Sequence, residues 1–183
     1  MTTQKQVAIF FEGDKRLRPG FSAFLAPLRS LAIQQGIKLE LIACDDIDNA
    51  KKQYLNDWIY RVRLLLIDSD GTTPTAKPGW HYMVQAMESW FLADWEKVAE
   101  HFNYAGPSQV KFRSVEQLAN SDVLAILDGL AKPRKGHQKY HKIEDALRLL
   151  MTIRLDQVRA LDSCTKFCVG VEAAITKYAS EDS

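Results

Sequence analysis

Acidic residues follow two of the most apolar runs in the sequence, and each acidic motif ends in glycine. Glu12 and Gly13 come after the run Val7–Phe11, and the motif Asp-Ser-Asp-Gly at 68–71 comes after Val62–Ile67. In a parallel sheet the carboxyl ends of the strands lie at one edge, and ligands bind beside that edge. If these two strands are neighbours, the carboxylates meet there, and carboxylate oxygens completed by water suit Mg²⁺ or Mn²⁺. The candidate catalytic residues and metal ligands are therefore Glu12, Asp68 and Asp70.

Other sites are weaker explanations of these motifs. Acids after strands also cap helices, and Asp-Ser-Asp-Gly closes turns well without any metal. A calcium-binding EF-hand is excluded, because Gly71 directly follows Asp70 and the distal glutamate of such a loop is missing. The sequence contains neither GxxxxGK nor GxGxxG, which argues against an NTPase or a dinucleotide enzyme. A metal site and a structural turn remain the two alternatives.

The first third of the chain alternates between strand and helix patterns. Apolar residues at helical spacing predict helices at 21–35 and 47–60, and short apolar runs predict strands. The expected strands are Val7–Phe11, Lys38–Cys44, Val62–Ile67 and a short fourth one at His81–Val84. These runs are too apolar to face water on one side, which favours a parallel sheet covered by helices on both faces.

The rest of the chain has a helical pattern. Apolar residues recur at helical spacing from Met87 to Phe102, and the later segments repeat this spacing. The later predicted helices are Val115–Leu118, Asp122–Leu130, Ile143–Met151 and Asp156–Tyr178. We therefore expect an α/β core over residues 1–110 and a helical C-terminal part over 111–183, packed together as one structural domain.

Composition indicates a globular, cytoplasmic protein. The 183 residues are 46% hydrophobic and 26% charged, and the three cysteines form no CxxC pair. The N-terminus lacks signal-peptide character, and no apolar run is long enough for a membrane span. The net charge of +1 does not by itself indicate a nucleic-acid partner, so any basic surface must be local.

Four longer motifs resemble a known family. FFEGD, LLLIDSDG, HYMVQAMESWFLAD and GHQKYHK are similar to the bacterial domain-of-unknown-function 4276 family, whose members are small TOPRIM-like proteins. The resemblance runs from Val7 to about Cys168 and implies a TOPRIM-like, Rossmann-like sheet. It also implies Mg²⁺ or Mn²⁺ held by Asp68 and Asp70, with Glu12 as a general acid/base or a further ligand.

Three polar residues beyond the acidic motifs each have two interpretations. Glu88 is a further metal ligand if its helix begins near the sheet edge, and a solvated helix charge otherwise. His81 either contacts a phosphate or, as lone histidines more often do, serves the structure. Asp94 is expected at the surface or at a helix cap. Tryptophans expected as core or interface anchors are Trp58, Trp90 and Trp95.

Basic residues cluster in the segment Lys132–Lys142, which holds five Lys/Arg, two histidines and no acid. Such clusters neutralise phosphates, although most are only solvated loops. His137 and His141 are four residues apart but lack a third ligand, so zinc binding is not expected. Tyr140 is expected to stack on a base. With a second basic group after Glu12, the candidate nucleic-acid-binding residues are Lys15, Arg16, Arg134, Lys135, Lys139, Tyr140, His141 and Lys142.

These observations favour a metal-dependent nuclease acting on DNA or RNA, and the resemblance implies a role as effector in anti-phage defence. One alternative is a non-catalytic TOPRIM-like subunit that binds and regulates an ABC/OLD-type ATPase partner, since the chain has no ATPase motif of its own. Another is a phosphatase or related enzyme that uses the same acids on small molecules. The basic segment argues mildly against the phosphatase, because a small substrate needs fewer positive groups.

Overall fold

The computed structural model describes residues 5–71, 75–132 and 139–180. Within these ranges the strands are β1 (Lys5–Phe11), β2 (Ile37–Ala43), β3 (Val62–Asp68) and β4 (Trp80–Met83). The α-helices of the same ranges are α1 (Arg18–Phe24), α2 (Ala26–Gln34), α3 (Ile47–Asn56), α4 (Met87–Ala93), α5 (Trp95–Phe102), α6 (Asn120–Ala131), α7 (Glu144–Thr152), α8 (Leu155–Val158) and α9 (Asp162–Ser180). Short 3-10 helices lie at Lys15–Leu17 and Phe112–Gln117.

The four strands form one sheet in the order β2-β1-β3-β4, and every neighbouring pair is parallel. Val7 of β1 lies opposite Leu39 of β2 on one side and Val62 of β3 on the other. This confirms the predicted α/β class with a parallel sheet. Because β1 and β3 are neighbours, their carboxyl ends lie side by side, as the proposed meeting of Glu12 and Asp68 requires.

Both faces of the sheet are covered, which explains why its strands are almost wholly apolar. Side chains alternate along β1: Ala8 and Phe10 face α3, where they pack with Leu65 and Ile67 of β3. On the other face, Val7, Ile9 and Phe11 belong to a larger core. That core extends through the C-terminal helices as far as Ile175.

The C-terminal helices pack directly on the sheet and on the first helices. Helix α9 contacts β3 and β4, and α7 contacts α1. The expected boundary between residues 110 and 111 falls in the segment between α5 and the 3-10 helix Phe112–Gln117. Nowhere in the described ranges is there a helix with both the length and the apolar character of a membrane span.

Three helices predicted as continuous are interrupted, and a physical cause is visible at each break. The segment predicted at 21–35 divides at Leu25 because Pro27, near the start of α2, has no N–H to continue the helical bonds. The segment predicted at 156–178 divides before α9, where the Glu116 carboxylate accepts the N–H groups of Asp162 and Ser163 at 3.2 and 3.0 Å. Glu116 therefore caps α9 from a distant part of the sequence. Its own segment, predicted as a helix at Val115–Leu118, is 3-10 helix.

The third break, between α4 and α5, lies at Asp94. The carboxylate of Asp94 accepts the Arg154 N–H at 2.8 Å and the guanidinium Nε and Nη2 atoms at 3.0 and 2.7 Å. Asp94 is only 2% exposed, so of its two expected places the surface is wrong, whereas the helix cap is confirmed: it ends α4 and precedes α5. It fixes the start of α8 against the end of α4 through Arg154.

Candidate functional site

Glu12 lies directly after β1 and reaches across to β3. Its backbone N–H continues the sheet by donating to the Leu66 carbonyl oxygen at 2.9 Å. Its side-chain Oε2 accepts the N–H of Asp68 at 3.0 Å. The carboxylate is thus held over the carboxyl ends of β1 and β3, at the edge predicted from the sequence.

The Asp-Ser-Asp-Gly turn after β3 is fixed by hydrogen bonds to the segment between β4 and α4. Asp68 Oδ1 accepts the N–H of Met87, the first residue of α4, at 2.9 Å. The Asp70 N–H donates to the Gln85 carbonyl oxygen, and the Gln85 N–H donates to Ser69 Oγ. Asp70 has a φ of 46° and Gly71 one of 74°, a left-handed turn in which glycine is favourable. The turn leaves Asp70 exposed beside Asp68.

Glu88 lies in the first turn of α4 and is buried, with 6% of its surface exposed. The interpretation of this residue as a solvated helix charge is therefore wrong. The hydroxyl of Tyr140 donates to Glu88 Oε1 at 3.3 Å. Because α4 begins at the hydrogen bond to Asp68, Glu88 lies close behind the acidic turn.

The acidic residues share one electrostatic environment. Burial raises the pKa of Asp68 well above its usual range, and the charges of Glu12, Glu88 and Asp70 raise it further. Burial also raises the pKa of Glu12, an effect that the Asp68 N–H opposes and the charge of Asp70 reinforces. The pKa of Glu88 is raised by burial, while the Lys142 charge and the Tyr140 hydrogen bond lower it. Carboxylates from three chain segments therefore repel one another at one edge of the sheet.

The oxygen donors suit the expected metals, but the carboxylates of the described residues stand too far apart to form a complete coordination shell. Oxygen-only donors suit Mg²⁺ and Mn²⁺, and a bound cation would relieve the repulsion at Asp68. Across residues 5–71, 75–132 and 139–180, however, no three His, Cys, Asp or Glu side chains already stand close enough together to hold a metal. A cation here would have to draw the carboxylates inward or keep several waters, as Mg²⁺ commonly does.

The basic group that follows Glu12 lies on the 3-10 helix Lys15–Leu17, and its two candidate residues differ. Lys15 is exposed. Arg16 is also exposed, but its guanidinium already binds the Asp14 carboxylate through Nε and Nη2 at 2.9 and 2.7 Å. Lys15 is therefore the better placed of the two for a phosphate.

The described end of the basic segment, residues 139–142, approaches the same edge from the helical part. Lys139 and Lys142 are exposed, and Lys142 acts electrostatically on Glu88. His141 caps α7, where its Nδ1 accepts the Glu144 N–H at 3.1 Å, so one ring nitrogen is occupied. Arg134 and Lys135 lie outside the described residues.

Tyr140 is placed differently from the expectation. Its side chain is only 7% exposed, and its hydroxyl is directed at Glu88. A side chain buried to this extent does not offer its ring to a base, so the expected stacking of Tyr140 is wrong. His81 packs edge-on against Phe167 with ring centroids 5.6 Å apart, in agreement with its structural interpretation.

Four residues beside Asp68 were not singled out from the sequence. A depression of about 290 Å³ next to Asp68 is lined by Lys51, Lys77, Trp80 and Tyr82, among others. Lys51 also lowers the pKa of Glu12. A signal existed for Lys51, because the first turns of a helix that follows a parallel strand lie near the carboxyl edge of the sheet.

The chain belongs to the DUF4276 family. The family model described as "Domain of unknown function (DUF4276)" matches residues 79–172, which is more than half of the chain. The matched region begins just before β4 and includes Glu88, while Glu12 and the acidic turn precede it. No curated protein matches the sequence.

A solved structure has a similar fold. It is the C-terminal region of the Burkholderia pseudomallei OLD protein, 14% identical, with a TM-score of 0.50 over 97% of this chain and 100% of that chain. At this identity the likeness concerns the fold. Together with the family match, it confirms the TOPRIM-like α/β architecture predicted from the sequence.

Proposed function

We propose that this protein is a nuclease that uses Mg²⁺ or Mn²⁺ to hydrolyse phosphodiester bonds in nucleic acid. The observation that carries the proposal is the meeting of Glu12 with Asp68 at the carboxyl edge of the sheet, where Glu12 Oε2 accepts the Asp68 N–H and Asp68 Oδ1 accepts the N–H of Met87, next to Glu88. The raised pKa of Asp68, due to burial and to the charges of Glu12, Glu88 and Asp70, agrees with this arrangement. Carboxylates that raise one another's pKa are unfavourable for folding alone, and such clusters are typical of functional sites. The TOPRIM-like fold is consistent with this chemistry but does not establish it.

Each acid has a proposed role. Asp68 and Asp70 hold the metal. Glu88 serves as a further ligand, or its negative charge adds to the attraction of the site for a cation. A metal held by these residues would polarise a phosphoryl oxygen and stabilise the charge on the leaving oxygen. Glu12 exchanges a proton with the attacking or leaving oxygen, for which a carboxyl of raised pKa is suited.

Basic residues from both groups position the phosphates. Lys15 follows Glu12 in the chain, Lys142 acts on Glu88, and the exposed Lys139 precedes Lys142 in the helical part. Arg134 and Lys135 belong to the same basic segment of the sequence and are proposed to contribute to it. The family resemblance further suggests that the nuclease acts as an effector of anti-phage defence.

The test is a cleavage panel of single- and double-stranded DNA, plasmid and tRNA, with Mg²⁺, Mn²⁺ or EDTA. Wild type is compared with the double variant Asp68→Asn/Asp70→Asn, after circular dichroism has shown that both are folded. We expect cutting that needs metal and disappears in the variant. Equal cutting by the variant would refute the site.

A second candidate function is that of a non-catalytic subunit bound to an ABC/OLD-type ATPase. Apolar side chains at the end of α3 and just after it favour a partner surface: Leu55 is 64%, Trp58 89% and Ile59 70% exposed. No cutting by wild type, together with partner binding lost in Trp58→Ser, would support it over the nuclease.

A further inference from the structure

A groove runs from Asp68 along the open side of β4, the edge strand of the sheet. The depression of about 290 Å³ at Asp68 adjoins a second one of about 450 Å³, whose far wall is the start of α9. The two share Lys77, Trp80 and Tyr82. The two depressions therefore adjoin at the side chains of Trp80 and Tyr82, and the second one extends to Lys166.

The rings in this groove are held rigidly, whereas the cations beside them are on flexible stems. Trp80 packs edge-on against Tyr54 with ring centroids 6.2 Å apart, and the Tyr82 hydroxyl donates to the Thr75 carbonyl oxygen at 3.2 Å. The ammonium groups of Lys77 and Lys51 lie 4.3 and 5.9 Å from the centre of the Trp80 ring. Such contacts are weak when exposed, so both lysines can turn away toward a phosphate.

We propose that this groove binds a single-stranded nucleic-acid segment, with a base on Trp80 and phosphates at Lys51 and Lys77. The path to Asp68 makes the strand a substrate, and in this respect the inference rests on the proposed function. Aromatic rings interleaved with lysines are the pattern that binds single strands, because every base has a face to stack while the lysines follow the backbone.

The groove favours a single strand over a duplex. Bases in a duplex are already stacked on one another, and Trp80 lies within the strand β4 rather than on a projecting loop. A ring in that position can receive a base only from an unpaired nucleotide. A purely apolar ligand would leave Lys51 and Lys77 without a function.

The experiment measures binding without cleavage. Fluorescein-labelled 12-nucleotide oligo-dT, oligo-U and a 12-base-pair DNA duplex are titrated in EDTA by fluorescence anisotropy at several salt concentrations. The variants are Trp80→Leu and Lys77→Ala. Matched controls are Trp58→Leu, an exposed tryptophan outside the groove, and Lys52→Ala, an exposed neighbour of Lys51 on α3. Thermal denaturation verifies the folding of each variant.

We expect tighter binding of single strands than of duplex, with Trp80→Leu weakening it about 5- to 150-fold. Lys77→Ala should reduce the slope of log affinity against log salt by about 0.7. The controls should bind as wild type does, and the dT and U arms will decide between DNA and RNA. Binding by Trp80→Leu and Lys77→Ala equal to that of the controls, or a preference for duplex, would overturn the inference.

This readout separates the two proposals. If the protein binds single strands through the groove but never cuts them, the proposed binding site stands and the proposed nuclease activity is refuted. Metal-dependent cutting with groove variants that bind normally would retain the nuclease and refute the groove.

Discussion

Asp68 is the residue at which folding and function conflict most directly. Its carboxylate is partly buried, lies in the field of Glu12, Glu88 and Asp70, and is fixed by the Met87 N–H. A charge in this position opposes folding, since both burial and repulsion disfavour the ionised form. Charges placed so unfavourably for folding are typical of functional sites.

The variant Asp68→Asn should therefore be more stable than wild type in EDTA at pH 7.5. The amide removes the charge, and its oxygen can still accept the Met87 N–H. We expect the melting temperature to rise by about 2–4 °C, which corresponds to ~1 kcal/mol in a chain of this size. Thermal denaturation checks this, with the exposed Asp48→Asn as the control. A melting temperature below that of wild type would contradict the account.

The stability difference between wild type and Asp68→Asn should also depend on pH. Since the pKa of Asp68 is raised in the folded protein, the folded state holds this proton more tightly than the unfolded state. The stabilisation from this proton is complete below the ordinary carboxyl pKa of about 4 and is lost as the pH rises through the folded value. We therefore expect the difference in the free energy of unfolding between Asp68→Asn and wild type to increase with pH. Urea unfolding from pH 4 to pH 8 in EDTA measures it. A constant difference would contradict the raised pKa.

For single residues, the sequence predicted which acids meet but not which other side chains contact them. Glu12 and Asp68 could be predicted to meet because strand ends in a parallel sheet share an edge. The contact between Glu88 and Tyr140 joins residues 52 positions apart, and helical spacing carries no information about it. The same contact explains why Tyr140 is buried rather than available to a base.

Among the elements, the breaks between helices depend on contacts from elsewhere in the chain. Apolar spacing continues across Asp94 and across Leu161, so the sequence predicted unbroken helices there. Pro27 was a local signal for the break at Leu25, whereas Arg154 and Glu116 act from outside the helices that they interrupt. The strands were easier to predict because a run buried on both faces is apolar throughout.

Arg154→Ala should destabilise the protein more than the removal of a surface ion pair does, because it leaves the buried Asp94 carboxylate with fewer donors. The matched control is Arg159→Ala, which breaks the half-exposed pair with Glu172 and should cost less than about 1 kcal/mol. Urea unfolding measures both. Equal effects of the two variants would show that Asp94 does not depend on its arginine.

The contact between α9 and β4 can be tested with glycines. A Cβ at Gly170 would lie 2.3 Å from His81 Cε1, whereas a Cβ at Gly129 of α6 meets nothing within 4 Å. We expect Gly170→Ala to destabilise the protein by about 1–3 kcal/mol through overpacking. Gly129→Ala should stabilise it by about 0.5–1 kcal/mol through helix propensity. Thermal denaturation compares the two variants. A stabilising effect of Gly170→Ala would mean that α9 lies farther from β4 than the structure has it.

In the whole molecule, the helical part contributes to the same edge as the sheet. The C-terminal helices and the sheet share one core, and the end of the basic segment reaches the acids through Tyr140 and Lys142. The sequence predicted both charged groups, and their shared role in binding and cutting nucleic acid stays a prediction. It could not predict the groove along β4, because the groove depends on where the loop with Lys77 and the start of α9 lie relative to Trp80.

The most direct test of the central claim is the cleavage rate of the best substrate at saturating Mn²⁺, for wild type, Asp68→Asn and Asp48→Asn. The proposed role of Asp68 predicts a fall on the order of 100-fold or more in Asp68→Asn, although that variant is the more stable protein. Asp48→Asn should cut at the wild-type rate. Cutting by Asp68→Asn at the wild-type rate would contradict the claim that the acidic edge is the catalytic site.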